Sequence, residues 1–134
     1  MAWRFAIAIA AIAAVAGCGT SGDRAESSVV VERFYDAVRH DDGDAACAQL
    51  SAPAVKALES QSGQSCPSAV TQLDYEGGAI VRTQVFLTSA SVDLRGGETA
   101  FLDREPEGWR ISAVACEAQD GPPTELPMDC EVES

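Results

Sequence analysis

The chain is poor in positive charge. Nine residues are Lys or Arg against 21 Asp or Glu, the formal net charge is −12, and His40 is the only histidine. A surface with that balance repels phosphate backbones, which argues against nucleic-acid binding. It also holds the body of the protein off an anionic membrane face. One histidine and no Cys-x-x-Cys spacing leave no zinc motif. A glycine-rich phosphate loop and a Ser-His-Asp set are equally missing, so neither metal nor cofactor is expected. Aromatic residues are scarce as well. Beyond residue 17 there are six: Phe34, Tyr35, Tyr75, Phe86, Phe101 and Trp109. Such a core is modest, and cross-links matter in a domain of that kind. With 134 residues there is room for one domain and not for two. Hydrophobic residues make up 46 % and charged residues 22 %, a globular composition rather than that of a disordered acidic tail.

The N-terminal end carries its own signal. Arg4 is the only charge in residues 1–17, and residues 5–16 are an unbroken apolar run. One positive charge followed by about a dozen apolar residues is the pattern of a secretory signal and too short for a membrane span. The run ends Val15-Ala16-Gly17-Cys18, which resembles the lipobox of bacterial lipoproteins. That resemblance implies cleavage before Cys18, acylation of its thiol, and attachment to the outer, extracytoplasmic face of the cell membrane. Two or three acyl chains suffice for stable anchoring, whereas one is marginal. Residues 18–28 are small and polar and read as a lipidated, flexible tether. The folded domain is expected over residues 29–134. Without Arg4 it keeps eight basic residues against all 21 acidic ones, so the charge belongs to the exported domain.

Four further cysteines remain: Cys47, Cys66, Cys116 and Cys130. An even number in an exported domain suggests two disulfides, and spacing does not choose among the three pairings. The first half of the domain has helical period. Val30, Phe34, Ala37 and Val38 share one face of a helix capped at Asp23 or Ser27 and ending near His40. Short helices are expected over 44–50, from Pro53 to about 60, and from Cys66 to Leu73. The second half has period two. Strands are expected over 79–87, 90–95, 99–104 and 109–118, with Gly96-Gly97 as a hairpin turn. Trp109, Ile111, Ala113 and Ala115 should share a face. Residues 119–127, rich in Pro and acidic side chains, read as irregular. The expected fold class is α+β: N-terminal helices on a curved antiparallel meander of about four strands.

Val-Val-Glu-Arg-Phe-Tyr-Asp-Ala-Val at 30–38, followed by small helices and a meander ending Gly-Trp-Arg-Ile at 108–111, resembles the nuclear transport factor 2-like superfamily. More narrowly, Cys-Ala-Gln-Leu-Ser at 47–51, Ser-Cys-Pro at 65–67, Gly-Trp-Arg-Ile-x-Ala-x-x-Cys at 108–116 and Asp-Cys-Glu-Val at 129–132 resemble small actinobacterial lipoproteins of uncharacterised function. The broad resemblance implies a cone, a bent sheet around the first helix with a pocket between them. On that reading Phe34, Tyr35, Phe86, Phe101 and Trp109 line the pocket. Bridges Cys47–Cys66 and Cys116–Cys130 fit the narrow resemblance, tying the small helices together and holding the tail to the last long strand.

Many unrelated functions use such a cone. The resemblance covers enzymes in which an Asp, His or Tyr inside the cone acts as acid or base. Here Asp93 and Asp103 alternate with apolar neighbours, but that register equally suits solvent. His40 ends a helix, where a cation suits the dipole. Asp41, Asp42 and Asp44 lack the alternating ligands and terminal Glu of a calcium loop and read as helix caps. No catalytic residue is assigned. The expected function is a non-catalytic binding module for an apolar small molecule or an envelope protein partner. The alternative is a small isomerase or cyclase acting inside the cone.

Overall fold

The structure is a computed structural model and describes residues 20–119 and 128–134. Cys18, the apolar leader and residues 120–127 of the Pro-rich segment lie outside the described residues.

Helix α1 (Thr20–Arg39) buries Ser27, Val30, Val31, Phe34, Tyr35 and Ala37. These positions recur every three to four residues, so they form one apolar stripe facing the sheet. Within the tether expected over residues 18–28, residues 20–28 are instead helical, because α1 is already formed at Thr20. Small polar composition is not flexibility here. Ser27 Oγ donates to the Asp23 carbonyl and Ser28 Oγ to the Arg24 carbonyl, both at 2.8 Å. Each serine thus bonds back along the helix instead of capping it. Asp23 sits in the first turn, where a carboxylate suits the helix dipole, and pairs with Arg104 across the fold.

Three short helices follow. In α2 (Gly43–Cys47) Asp42 caps the N-terminus, accepting from Ala45 N at 3.0 Å. Ser51 caps α3 (Ala52–Ser62) in the same way through Ala54 N, with Pro53 in the first turn and Gly63 at φ 68° ending it. α4 (Cys66–Val70) lies against α2 so closely that a Cβ on Gly43 would come within 2.1 Å of the Pro67 carbonyl oxygen. The Cys47–Cys66 disulfide joins the same two helices. α2 stops three residues short of the expected Leu50. There the chain turns to the sheet, with Ser51 N donating to Ile111 O at 2.8 Å and Ile111 N to Gln49 O at 2.9 Å.

The sheet has strands β1 (Ile80–Phe86), β2 (Ser89–Leu94), β3 (Thr99–Glu105), β4 (Gly108–Glu117) and β5 (Asp129–Glu133). They pair antiparallel in the order β1-β2-β3-β4-β5. Five strands replace the expected four. β5 has only Cys130 and Val132 as apolar side chains among three acidic ones, too short a pattern to declare a period of its own. β4 supplies its ladder, and Cys116–Cys130 is a bridge between facing residues of the two strands. Helices cover one face: α1 packs on β1, β2 and β4, and α3 on β4 and β5. Val92, Leu102, Ile111, Val114 and Val132 meet Val31, Phe34, Leu58 and Val70 there, all nearly inaccessible to solvent.

Bulges reset two of the expected faces. The β1–β2 register shifts between Ile80 and Arg82, which turns Val81 out to 57 % exposure while Ile80 packs on the core. The β3–β4 register shifts twice, and Ala115 takes φ 54°. Val114 therefore follows Trp109 and Ile111 into the core, and Ala113 pairs with Phe101 outside it. Each extra residue bends the strand and increases local twist.

Candidate functional site

The five aromatics expected to line one pocket are not gathered around one, which corrects that expectation. Phe34 and Trp109 are core side chains, Trp109 with 2 % exposure and the Arg104 guanidinium 5.0 Å from its ring centre. Phe101 is half-buried in a groove of about 360 Å³ beside Asp103, Ser112, Ala113 and Cys130. Phe86 stands at the β1–β2 hairpin tip, 58 % exposed. Tyr35 borders a separate groove with Glu32 and Arg39. The physical reason is that α1 covers the inner face of the sheet with its own stripe, Phe101 sits between the two β3–β4 register shifts, and Phe86 lies at a hairpin tip.

Tyr35 instead joins an arrangement that the sequence did not advertise. Phe34, Tyr35 and Tyr75 form a triangle of edge-to-face rings with centroids 5.4, 5.6 and 6.0 Å apart. Tyr35 Oη donates to Glu98 Oε2 at 2.6 Å. Glu98 is 2 % exposed, and its carboxylate also accepts from Gly77 N at 3.0 Å and Glu76 N at 2.5 Å. Glu98 follows Gly96-Gly97 in the β2–β3 turn, where a carboxylate ordinarily reads as solvated. Nothing in its neighbours signals burial. Gly77 makes the contact feasible: it sits at φ 61°, and a Cβ there would lie 3.0 Å from the Tyr35 ring. Burial, reinforced by the Glu98 carboxylate, pushes the Tyr35 phenol well above its ordinary range. Tyr75 is raised by burial and then by the Glu131 and Glu98 carboxylates. Its hydroxyl donates to Val70 O at 2.9 Å.

Beside this latch lies a cleft of about 350 Å³ bordered by Asp74, Glu76, Glu98, Glu117, Asp129 and Glu131, with Tyr75 among them. Among the described residues no Lys or Arg lines it. The β2–β3 turn, the C-terminal end of β4 and the start of β5 supply the walls, and the Cys116–Cys130 bridge fixes the last two together. Among the described residues no three His, Cys, Asp or Glu side chains are grouped to hold a metal ion. The carboxylates are spread along the cleft, an arrangement that concentrates negative potential over an extended surface.

The residues weighed for acid–base chemistry lie elsewhere. Asp93 bonds Arg82 at 2.8 Å and accepts from Thr99 Oγ1 at 2.9 Å. Asp103 is exposed on β3. His40 is exposed at the end of α1, its Nδ1 2.8 Å from the Asp36 carbonyl oxygen. Asp41 and Asp44 are exposed beside the capping Asp42. Compared with protein-family models, with curated proteins and with solved structures, the chain finds no match.

Proposed function

We propose that the chain is a lipid-anchored lipoprotein on the extracytoplasmic face of the cell membrane, a non-catalytic binding module whose acidic cleft takes a basic segment of an envelope protein. The Val15-Ala16-Gly17-Cys18 run and the signal-like leader support the anchor. Two cysteine pairs at bonding distance suit an oxidising compartment. Helices on one face of an open antiparallel meander are compatible with a nuclear transport factor 2-like cone, as in the small actinobacterial lipoproteins that the motifs resemble.

The single observation that carries the binding reading is the cleft with six carboxylates and, among the described residues, no lining cation. Its complement is a run of Lys or Arg, and attraction of this kind fades beyond about 8 Å at physiological salt. An apolar ligand is less well served, since the aromatic rings are packed in the core or dispersed. Isomerase chemistry needs a free acid or base in a cavity, and Glu98 is held by three donors.

Titration of the mature, detergent-solubilised protein with an oligolysine peptide tests the reading by amide NMR. Shifts are expected at residues 74–76, 117 and 129–131, weakening with salt and lost in Glu117→Lys/Asp129→Lys. Shifts scattered evenly over the surface, or none, overturn it.

A further inference from the structure

We infer that the β1–β2 hairpin tip, Phe86 and Leu87, inserts into the lipid bilayer next to the anchor and fixes how the domain sits on the membrane. The inference rests on the lipid-anchored reading above. Leu87 and Thr88 form the two-residue turn, since Phe86 faces Ser89 in the register. Leu87 has φ 50° and is 94 % exposed, and Phe86 is 58 % exposed. Hairpin turns that need positive φ normally take Gly, Asn or Asp. Leucine carries a steric penalty there and rests on nothing in its own domain. An apolar side chain kept in a strained, solvent-facing position points to a partner outside the molecule.

The position of the tip identifies that partner as lipid. Arg104 N donates to the Thr88 carbonyl at 2.8 Å, and the Arg104 guanidinium pairs with Asp23 in the first turn of α1. The start of α1 and the hairpin tip are therefore at the same end of the molecule. Thr20, the first residue of α1, follows Cys18 by two positions. Two residues of chain span at most about 7 Å. Acyl chains on Cys18 would bring this end, with Phe86 and Leu87, against the bilayer.

The net charge that holds most of the surface off an anionic face is unevenly distributed, and the tip end is close to balance. Asp23, Glu26, Asp103, Glu105 and Glu107 at the tip end stand among Arg24, Arg33, Arg104 and Arg110. The six-carboxylate cleft is at the opposite end of the strands, beyond Leu94 and around Glu98 and Glu117. The length of β2 alone separates the two ends by about 17 Å, about two screening lengths in physiological salt. The domain would then present the acidic cleft away from the membrane.

Phe86→Trp in the mature, acylated protein, reconstituted into phosphatidylcholine–phosphatidylglycerol vesicles, tests the inference. Its extra emission over that of buried Trp109 should shift to the blue on reconstitution and fall when the lipids carry brominated chains. Glu117→Trp, at the opposite end, should show neither effect. Leu87→Gly, which removes the strain at φ 50°, should raise the melting temperature and weaken the quenching of Phe86→Trp. A protein that floats with the vesicles while Phe86→Trp stays water-exposed overturns the inference and leaves the anchor standing. A protein that neither floats nor carries acyl mass removes the anchor and the inference with it.

Discussion

Glu98→Gln is the most informative single change in the domain. The side chain is nearly inaccessible and accepts from the Tyr35 hydroxyl and from the amides of Gly77 and Glu76. Hydrogen bonds to a charged acceptor contribute about 1.5–3 kcal/mol each, and a buried donor left without a partner costs about 1–3 kcal/mol. Glutamine keeps one oxygen but turns its NH₂ toward a donor, so the loss exceeds that of one bond. We expect a destabilisation of about 3 kcal/mol, a large share of the roughly 5–15 kcal/mol typical of a domain. Tyr35→Phe removes one bond and keeps the ring packing on Phe34 and Tyr75, so about 1.5 kcal/mol is expected. Urea unfolding followed by circular dichroism, with both disulfides intact, measures each, and the double mutant gives their coupling. A loss below about 0.5 kcal/mol for Glu98→Gln is that of an ordinary surface substitution and would refute the reasoning. So would strict additivity with Tyr35→Phe.

The raised phenols predict alkaline instability. Above pH about 10 the unfolded tyrosines ionise while folded Tyr35 and Tyr75 stay protonated, so the native state holds more protons and stability falls as pH rises. The slope should be about 1.4 kcal/mol per pH unit for each tyrosine, halved in Tyr35→Phe; a flat profile from pH 9 to about 11 contradicts the burial. Cys47→Ala/Cys66→Ala opens a span of 19 residues and Cys116→Ala/Cys130→Ala one of 14. Each should cost about 3 kcal/mol on chain-entropy grounds, and the second should also speed amide exchange in β5; peptides linking Cys47 or Cys66 to Cys116 or Cys130 would contradict the pairing. Gly43→Ala should cost about 2 kcal/mol in thermal melts, since its Cβ would collide with the Pro67 carbonyl. A neutral outcome would mean that α2 and α4 are not in close contact.

How far these features can be read from sequence depends on whether they are periodic. The α1 stripe through Val30, Phe34 and Ala37 is legible because tertiary packing reinforces the 3.6-residue repeat. Gly96-Gly97 marks the β2–β3 turn because both residues tolerate a left-handed backbone. Bulges erase such signals: one extra residue near Val81 or Ala115 exchanges faces without leaving a trace in composition. Ser27 and Ser28 look like tether or cap residues, and only helix geometry shows their hydroxyls bonding backwards. β5 has too few apolar residues to declare itself. Glu98 was out of reach for a different reason. Its burial depends on Tyr35, 63 positions away, and on a glycine pair, and no local pattern connects them.

Mass spectrometry of the mature protein from its own membranes decides whether the lipid anchor is present. The expected product is a chain that begins at Cys18 and carries diacylglyceryl mass on that residue. Cys18→Ser should give an unlipidated precursor that leaves the detergent phase. A native chain that retains residues 1–17, or one with an unmodified thiol at Cys18, contradicts it.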